Sequence, residues 1–127
     1  MQNNMVDFLE HIGGKVLYSK DGKSELYFNI EPHHHQHLGM VHGGAIAALA
    51  DHAGWYAVVS EIEESDTSTT IELKINYLKP VLGDRLTAKA IVINKTKKTA
   101  FATIELFSNN TLVAYATGTY IIFEEKK

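Results

Sequence analysis

No cysteine occurs anywhere in the 127 residues. That absence removes a disulfide framework, a thiolate metal site and a cysteine nucleophile together. An excess of charge of one sign is missing as well. Twelve Lys and Arg stand against fifteen Asp and Glu, a net −3, and the two signs are mixed along the chain, so there is no basic footprint for nucleic acid. Long hydrophobic runs are also lacking. The longest, Ala45 to Val59, is interrupted by Asp51 and His52 and falls short of the ~20 residues a membrane span needs. Met1-Gln2-Asn3-Asn4-Met5 has neither the charged nor the apolar block of a secretion signal. There is no Gly-x-Ser-x-Gly elbow, no P-loop or dinucleotide fingerprint, no internal repeat and no low-complexity segment. These absences predict one cytoplasmic domain, residues 1–127, with no membrane partner. Apolar residues make up 45% of the chain, enough for a single core without a metal or disulfide staple.

What is present divides into strands and one helix. Asp7 to His11 reads as a short helical lead-in. Lys15-Val16-Leu17-Tyr18 and Glu25 to Ile30 flank Lys20-Asp21-Gly22-Lys23, and Asp-Gly is a strong hairpin turn signal. Glu31 to Gly39 is irregular. From Ala45 to Val59 the chain is rich in helix formers and apolar on nearly every side, which predicts a helix buried all round. After a polar connection, Glu61 to Asp66, period-two alternation begins. Ile71, Leu73, Ile75 and Tyr77 alternate with Thr70, Glu72, Lys74 and Asn76, which predicts a strand with one buried face. Arg85 to Asn94, Thr99 to Ser108 and Leu112 to Phe123 read as three more strands, joined at Lys95 to Lys98 and at Asn109-Asn110. One helix this hydrophobic, within a β-β-α-β-β-β-β order, predicts an α+β fold in which a curved antiparallel sheet wraps the helix, the hotdog arrangement.

Asp51 stands out inside that helix. An unpaired buried carboxylate costs several kcal/mol, so it is either hydrogen-bonded locally or set in a functional cleft. Gly43-Gly44 immediately precedes the helix. The free N–H groups of a helix start carry partial positive charge, and glycine admits close approach, so the turn suits an anion or a developing oxyanion. Gly43 and Asp51 lie eight residues apart, hence ~12 Å along a helix axis. A base and an oxyanion donor must both come within ~3 Å of the reacting atom. Acting together, the two therefore come from different subunits, with two antiparallel helices facing each other in a dimer that holds two interfacial sites.

The run Gln36-His37-Leu38-Gly39-Met40-Val41-His42-Gly43-Gly44, followed by Asp51 and later by Ile75-Asn76-Tyr77-Leu78-Lys79-Pro80, resembles the signature of hotdog acyl-CoA thioesterases of the phenylacetate-pathway (PaaI-like) type over almost the whole chain. The resemblance implies hydrolysis of an acyl-CoA to acid and free coenzyme A. Asp51 is then the general base or nucleophile, and the Gly43 N–H polarises the thioester carbonyl. It implies that His42 positions the turn, that Gln36 holds water or substrate where many members carry Asn, and that Thr70 orients the water or carboxylate. Counting back from Pro80 gives Thr70; counting forward from Asp51 gives Thr69. Gly44 and the lysines Lys79, Lys95, Lys97 and Lys98 fall where the substrate and the nucleotide end of coenzyme A approach, although exposed lysines on turns are ordinarily just solvated. The expected partner is the acyl-CoA itself and a second copy of the chain, with a tetramer left open. No cofactor beyond the substrate's coenzyme A is implied. A hotdog enoyl-thioester hydratase or dehydratase is one alternative, disfavoured by the His-Gly-Gly…Asp51 order. A non-catalytic acyl-CoA-binding protein is the other, disfavoured by the presence of the carboxylate.

His33, His34, His35 and His37 invite a zinc reading. Zinc sites want spaced, converging ligands, and adjacent side chains of an extended segment diverge, so no metal site is assigned. Trp55 and Tyr56 read as core or interface aromatics that an aromatic acyl group could also meet.

Overall fold

The computed structural model describes residues 7–36 and 38–125. The N-terminal Met1–Met5 segment and His37 lie outside them. Asp7 caps α1 (Phe8–His11) by accepting from the Leu9 N–H at 2.8 Å. β1 (Lys15–Lys20) and β2 (Lys23–Asn29) follow, with positive φ at both Asp21 and Gly22, the backbone a tight two-residue hairpin requires. A short 3-10 turn (Pro32–His34) leads into α2 (Gly43–Val59), and β3 (Asp66–Tyr77), β4 (Arg85–Lys95), β5 (Thr99–Ser108) and β6 (Thr111–Glu124) complete the chain. The β5–β6 turn repeats the hairpin device, with positive φ at Asn109 and Asn110. All pairings are antiparallel, in the order β1-β2-β4-β5-β6-β3.

The sheet curls around α2, as the hotdog arrangement requires. Ile46, Leu49, Ala50, Ala53, Gly54, Ala57 and Val58 are the helix residues it buries. Their spacing is the three-four alternation of one helical face. The expectation of a helix buried all round is corrected here. Within one chain the opposite face, including Ala47, Ala48, Asp51, His52, Trp55 and Tyr56, is only half-buried, because the sheet is a single layer and covers one side. Leu26, Phe28, Leu86, Ile104 and Leu106 pack against the covered face.

A second correction concerns β3. Ile71 is 58% exposed and Tyr77 51% exposed, so the alternating set is not one buried face. The cause is a bulge: Thr70 pairs with Tyr120 and Glu72 with Thr119, leaving Ile71 without a partner. An extra residue resets the two-residue period. Ser68 and Thr70 turn inward before the bulge, Leu73 and Ile75 after it. β3 is also an edge of the sheet.

The irregular segment before α2 is anchored by His34. Its ring is buried and stacks on Phe28 at 4.1 Å. Nδ1 accepts from the Glu31 N–H at 2.9 Å, so Nε2 carries the proton and donates to the Ile12 carbonyl at 2.7 Å. Both nitrogens are thereby committed to backbone groups. The His34 carbonyl in turn accepts from the His42 N–H at 2.7 Å, which fixes where α2 begins.

Candidate active site

His42 is the N-cap of α2. Its Nδ1 accepts from the Gly44 N–H at 2.8 Å, while its carbonyl accepts from the Ala45 and Ile46 N–H groups. With the His42 N–H bonded to the His34 carbonyl, the Gly44 and Ala45 bonds bring to three the satisfied orphan donors of the four at the helix start, the Ile46 bond being the first regular helical one. The fourth is Gly43 N–H, which has no acceptor among the described residues. The histidine thus uses up the competing amide and leaves one. A Cβ on Gly43 would lie 3.4 Å from the Tyr77 ring, and the Tyr77 hydroxyl donates to the Gly43 carbonyl at 2.8 Å. Tyr77, read from the sequence as a strand residue, therefore buttresses the turn. Gly43 opens on a cleft of ≈ 330 Å³ that Gln36, Tyr77 and Lys79 also line. Gln36 holds its loop by accepting from the Leu38 N–H at 2.6 Å, which leaves its amide NH2 as the donor on offer.

Asp51 lines a different cleft, also ≈ 330 Å³, with Asp7, His52, Trp55, Tyr56, Ser68, Thr69 and Thr70. Of the two threonines, it is Thr70 whose hydroxyl donates to Asp51 Oδ1, at 2.7 Å. The bulge at Ile71 is what allows Thr70 to point inward while Leu73 and Ile75 still reach the core. A second hydroxyl approaches from β6: Tyr120 lies 3.3 Å from the Asp51 carbonyl and 3.5 Å from Oδ1. Tyr120 carried no signal in the sequence beyond that of a strand aromatic. Trp55 is fixed by donating from Nε1 to the Ser68 carbonyl at 2.8 Å.

The two clefts have no lining residue in common. Gly43, Ala47, Asp51 and Trp55 follow one another at four-residue steps along the half-buried face of α2, so the clefts sit at two ends of one helical stripe. The lysines divide in the same way. Lys79 lines the Gly43 cleft. The Lys95–Lys98 turn lies at the other end, where Ala100 and Thr70 both pair with Tyr120 and the Lys98 carbonyl accepts from Ile122. One chain brings together Asp51 and Thr70, and separately Gln36, His42, Gly43, Gly44 and Lys79. It does not bring the two groups together.

The chain is thus an α+β protein of the hotdog class, a six-stranded antiparallel sheet around a helix that starts on a free amide and carries a hydroxyl-bound carboxylate at its middle. The thioesterase superfamily model matches residues 38–115, and the chain belongs to that family, whose reaction is thioester hydrolysis. A putative esterase of Saccharolobus solfataricus is 34% identical over 120 residues, covering 94% of this chain and 79% of the relative. The structure of a variant of the phenylacetic acid degradation protein PaaI from Thermus thermophilus superposes with a TM-score of 0.82 at 31% identity, covering 90% of this chain and 96% of that one. The fold and family are therefore those of the PaaI-like hotdog thioesterases. The medium/long-chain acyl-CoA thioesterase YigI of Escherichia coli is 33% identical over 97 residues, 65% of this chain and 63% of its own length. Among the described residues no helix is long and apolar enough to cross a membrane.

Proposed function

We propose that this chain hydrolyses acyl-CoA thioesters at two composite sites of a homodimer, each joining Gly43 of one protomer to Asp51 of the other. The observation that carries the reading is the separation of a free oxyanion donor and a prepared carboxylate into two clefts of the same chain. Eight residues of helix hold them ~12 Å apart, too far for one carbonyl. The half-buried apolar face of α2 and the unpaired edge of β3 are the surfaces a second copy covers. An edge of twelve residues left open is a template for another strand.

In each composite site the thioester carbonyl lies against the start of α2, where Gly43 N–H stabilises the tetrahedral oxyanion. Asp51 of the other protomer deprotonates the attacking water, or attacks the carbonyl itself to give an anhydride that water then opens. The thiolate of coenzyme A leaves. The same pairing draws Lys79 of one protomer toward the Lys95–Lys98 turn of the other, so the cations that a single chain separates converge around the nucleotide end of the substrate. The names of the relatives supply the acyl-CoA class; the split site supplies the arrangement.

Complementation tests it. Asp51→Asn removes the carboxylate's charge. Gly43→Pro removes the N–H at the first helical position, where proline is well tolerated, and His42, at φ −63° and ψ 135°, already has the backbone a following proline demands. Each variant alone is expected to lose ~10²–10³ in kcat on an acyl-CoA panel. Co-refolded as a random mixture, half the dimers are mixed and each carries one intact site, so about a quarter of wild-type activity returns. A mixture no more active than its parts would show that each chain acts alone.

A further inference from the structure

Tyr120 is the largest fully buried side chain, and two glycines surround it for which no turn accounts. Gly54 stands inside α2, where glycine is less favourable than alanine. Gly118 stands inside β6, where it weakens the strand. A Cβ on Gly54 would collide with the Tyr120 hydroxyl, and one on Gly118 would come within 2.6 Å of it. Both glycines make room for the ring and its hydroxyl together, since a Cβ on either would also come within 3.0 Å of ring carbons; the hydroxyl so admitted lies 3.3 Å from the Asp51 carbonyl and 3.5 Å from its Oδ1. We infer that Tyr120 is a positioning residue for Asp51, acting with Thr70 to occupy Oδ1 and to leave Oδ2 as the oxygen that works on the thioester or its water.

The chemistry is consistent with a donor. Burial raises the Tyr120 hydroxyl well above its ordinary range, and the neighbouring Asp51 charge and hydrogen bond raise it further, so it stays protonated and donates. Thr70 donates to the same oxygen at 2.7 Å. No donor reaches Oδ2 among the described residues. The other ionisable groups around the cleft are Asp7, His52 and Tyr56; none has a hydrogen bond to Asp51 among the described residues.

The inference rests on Asp51 being the reacting carboxylate, and its test separates the two. Tyr120→Phe keeps the ring and removes the hydroxyl. The kcat is expected to fall about three- to tenfold with KM unchanged. The loss is expected to vanish when Tyr120→Phe is added to Asp51→Asn, because a hydroxyl that acts through the carboxylate then has nothing left to position. Loss of packing alone would lower the melting temperature and cost the same factor in either background. Equal losses in the two backgrounds, or an unchanged kcat in Tyr120→Phe, overturn the inference. Full activity in Asp51→Asn overturns the catalytic reading instead, and the inference with it.

Discussion

Asp51 is held by the hydroxyl of a residue nineteen positions further along the chain, and the shortness of that contact, 2.7 Å, gives the two threonines of β3 different fates. Thr69 lines the cleft but is exposed; Thr70 is half-buried and bonded. Thr70→Val, which keeps shape and removes the donor, is expected to lower kcat about tenfold, in line with the ~1.5 kcal/mol of a hydrogen bond to a charged group. Thr69→Val is expected to stay within twofold. Steady-state kinetics on one acyl-CoA decides this, and equal losses would mean that the cleft wall as a whole matters rather than the bond. At this scale the sequence made Asp51 and Gly43 legible because each breaks a local rule, an acid among aliphatics and a glycine pair ahead of a helix. Thr70 was legible to within one position. Tyr120 was not, because its contact spans sixty-nine positions and a tyrosine in an alternating strand looks like core.

The elements show why a count along β3 slips by one. Alternation places every second residue on one face only while the ladder is regular, and the ladder is irregular at Ile71. Sequence pattern sees Ile71, Leu73, Ile75 and Tyr77 as one row, since an extra residue has no signature of its own. The helix was found within two residues of its start, yet which of its faces meets the sheet was not visible in a run apolar on both. Deleting Ile71 removes the extra residue and leaves Thr70 opposite Tyr120 and Glu72 opposite Thr119 in an unbroken ladder, so Thr70, Leu73 and Ile75 all still face inward. The expected protein is folded, with a melting temperature within several degrees of wild type, and its activity stays within a few-fold of wild type because Thr70 keeps its place beside Asp51. A loss of tenfold or more, as large as that of Thr70→Val, would show that the bulge itself, and not only the inward register, aims the Thr70 hydroxyl.

For the whole molecule the decisive residue is Ala47, which lies midway between Gly43 and Asp51 on the half-buried stripe of α2. In a two-fold dimer a residue that meets its own counterpart lies on the axis, and residues equally far either side of it meet each other. An axis at Ala47 between antiparallel helices therefore sets Gly43 against Asp51 twice over. It also demands a small side chain where the two backbones approach. Ala47→Phe leaves the chain's own core untouched, since the site is only half-buried and such positions usually tolerate change within about 0.5 kcal/mol. The variant is expected to sediment as a folded monomer and to lose ~10²-fold or more in kcat/KM, because neither composite site can close. Ala47→Gly, with nothing to obstruct the approach, is expected to remain dimeric and active. A monomeric Ala47→Phe with full activity would refute the shared site, and a dimeric one with full activity would move the axis elsewhere on the stripe.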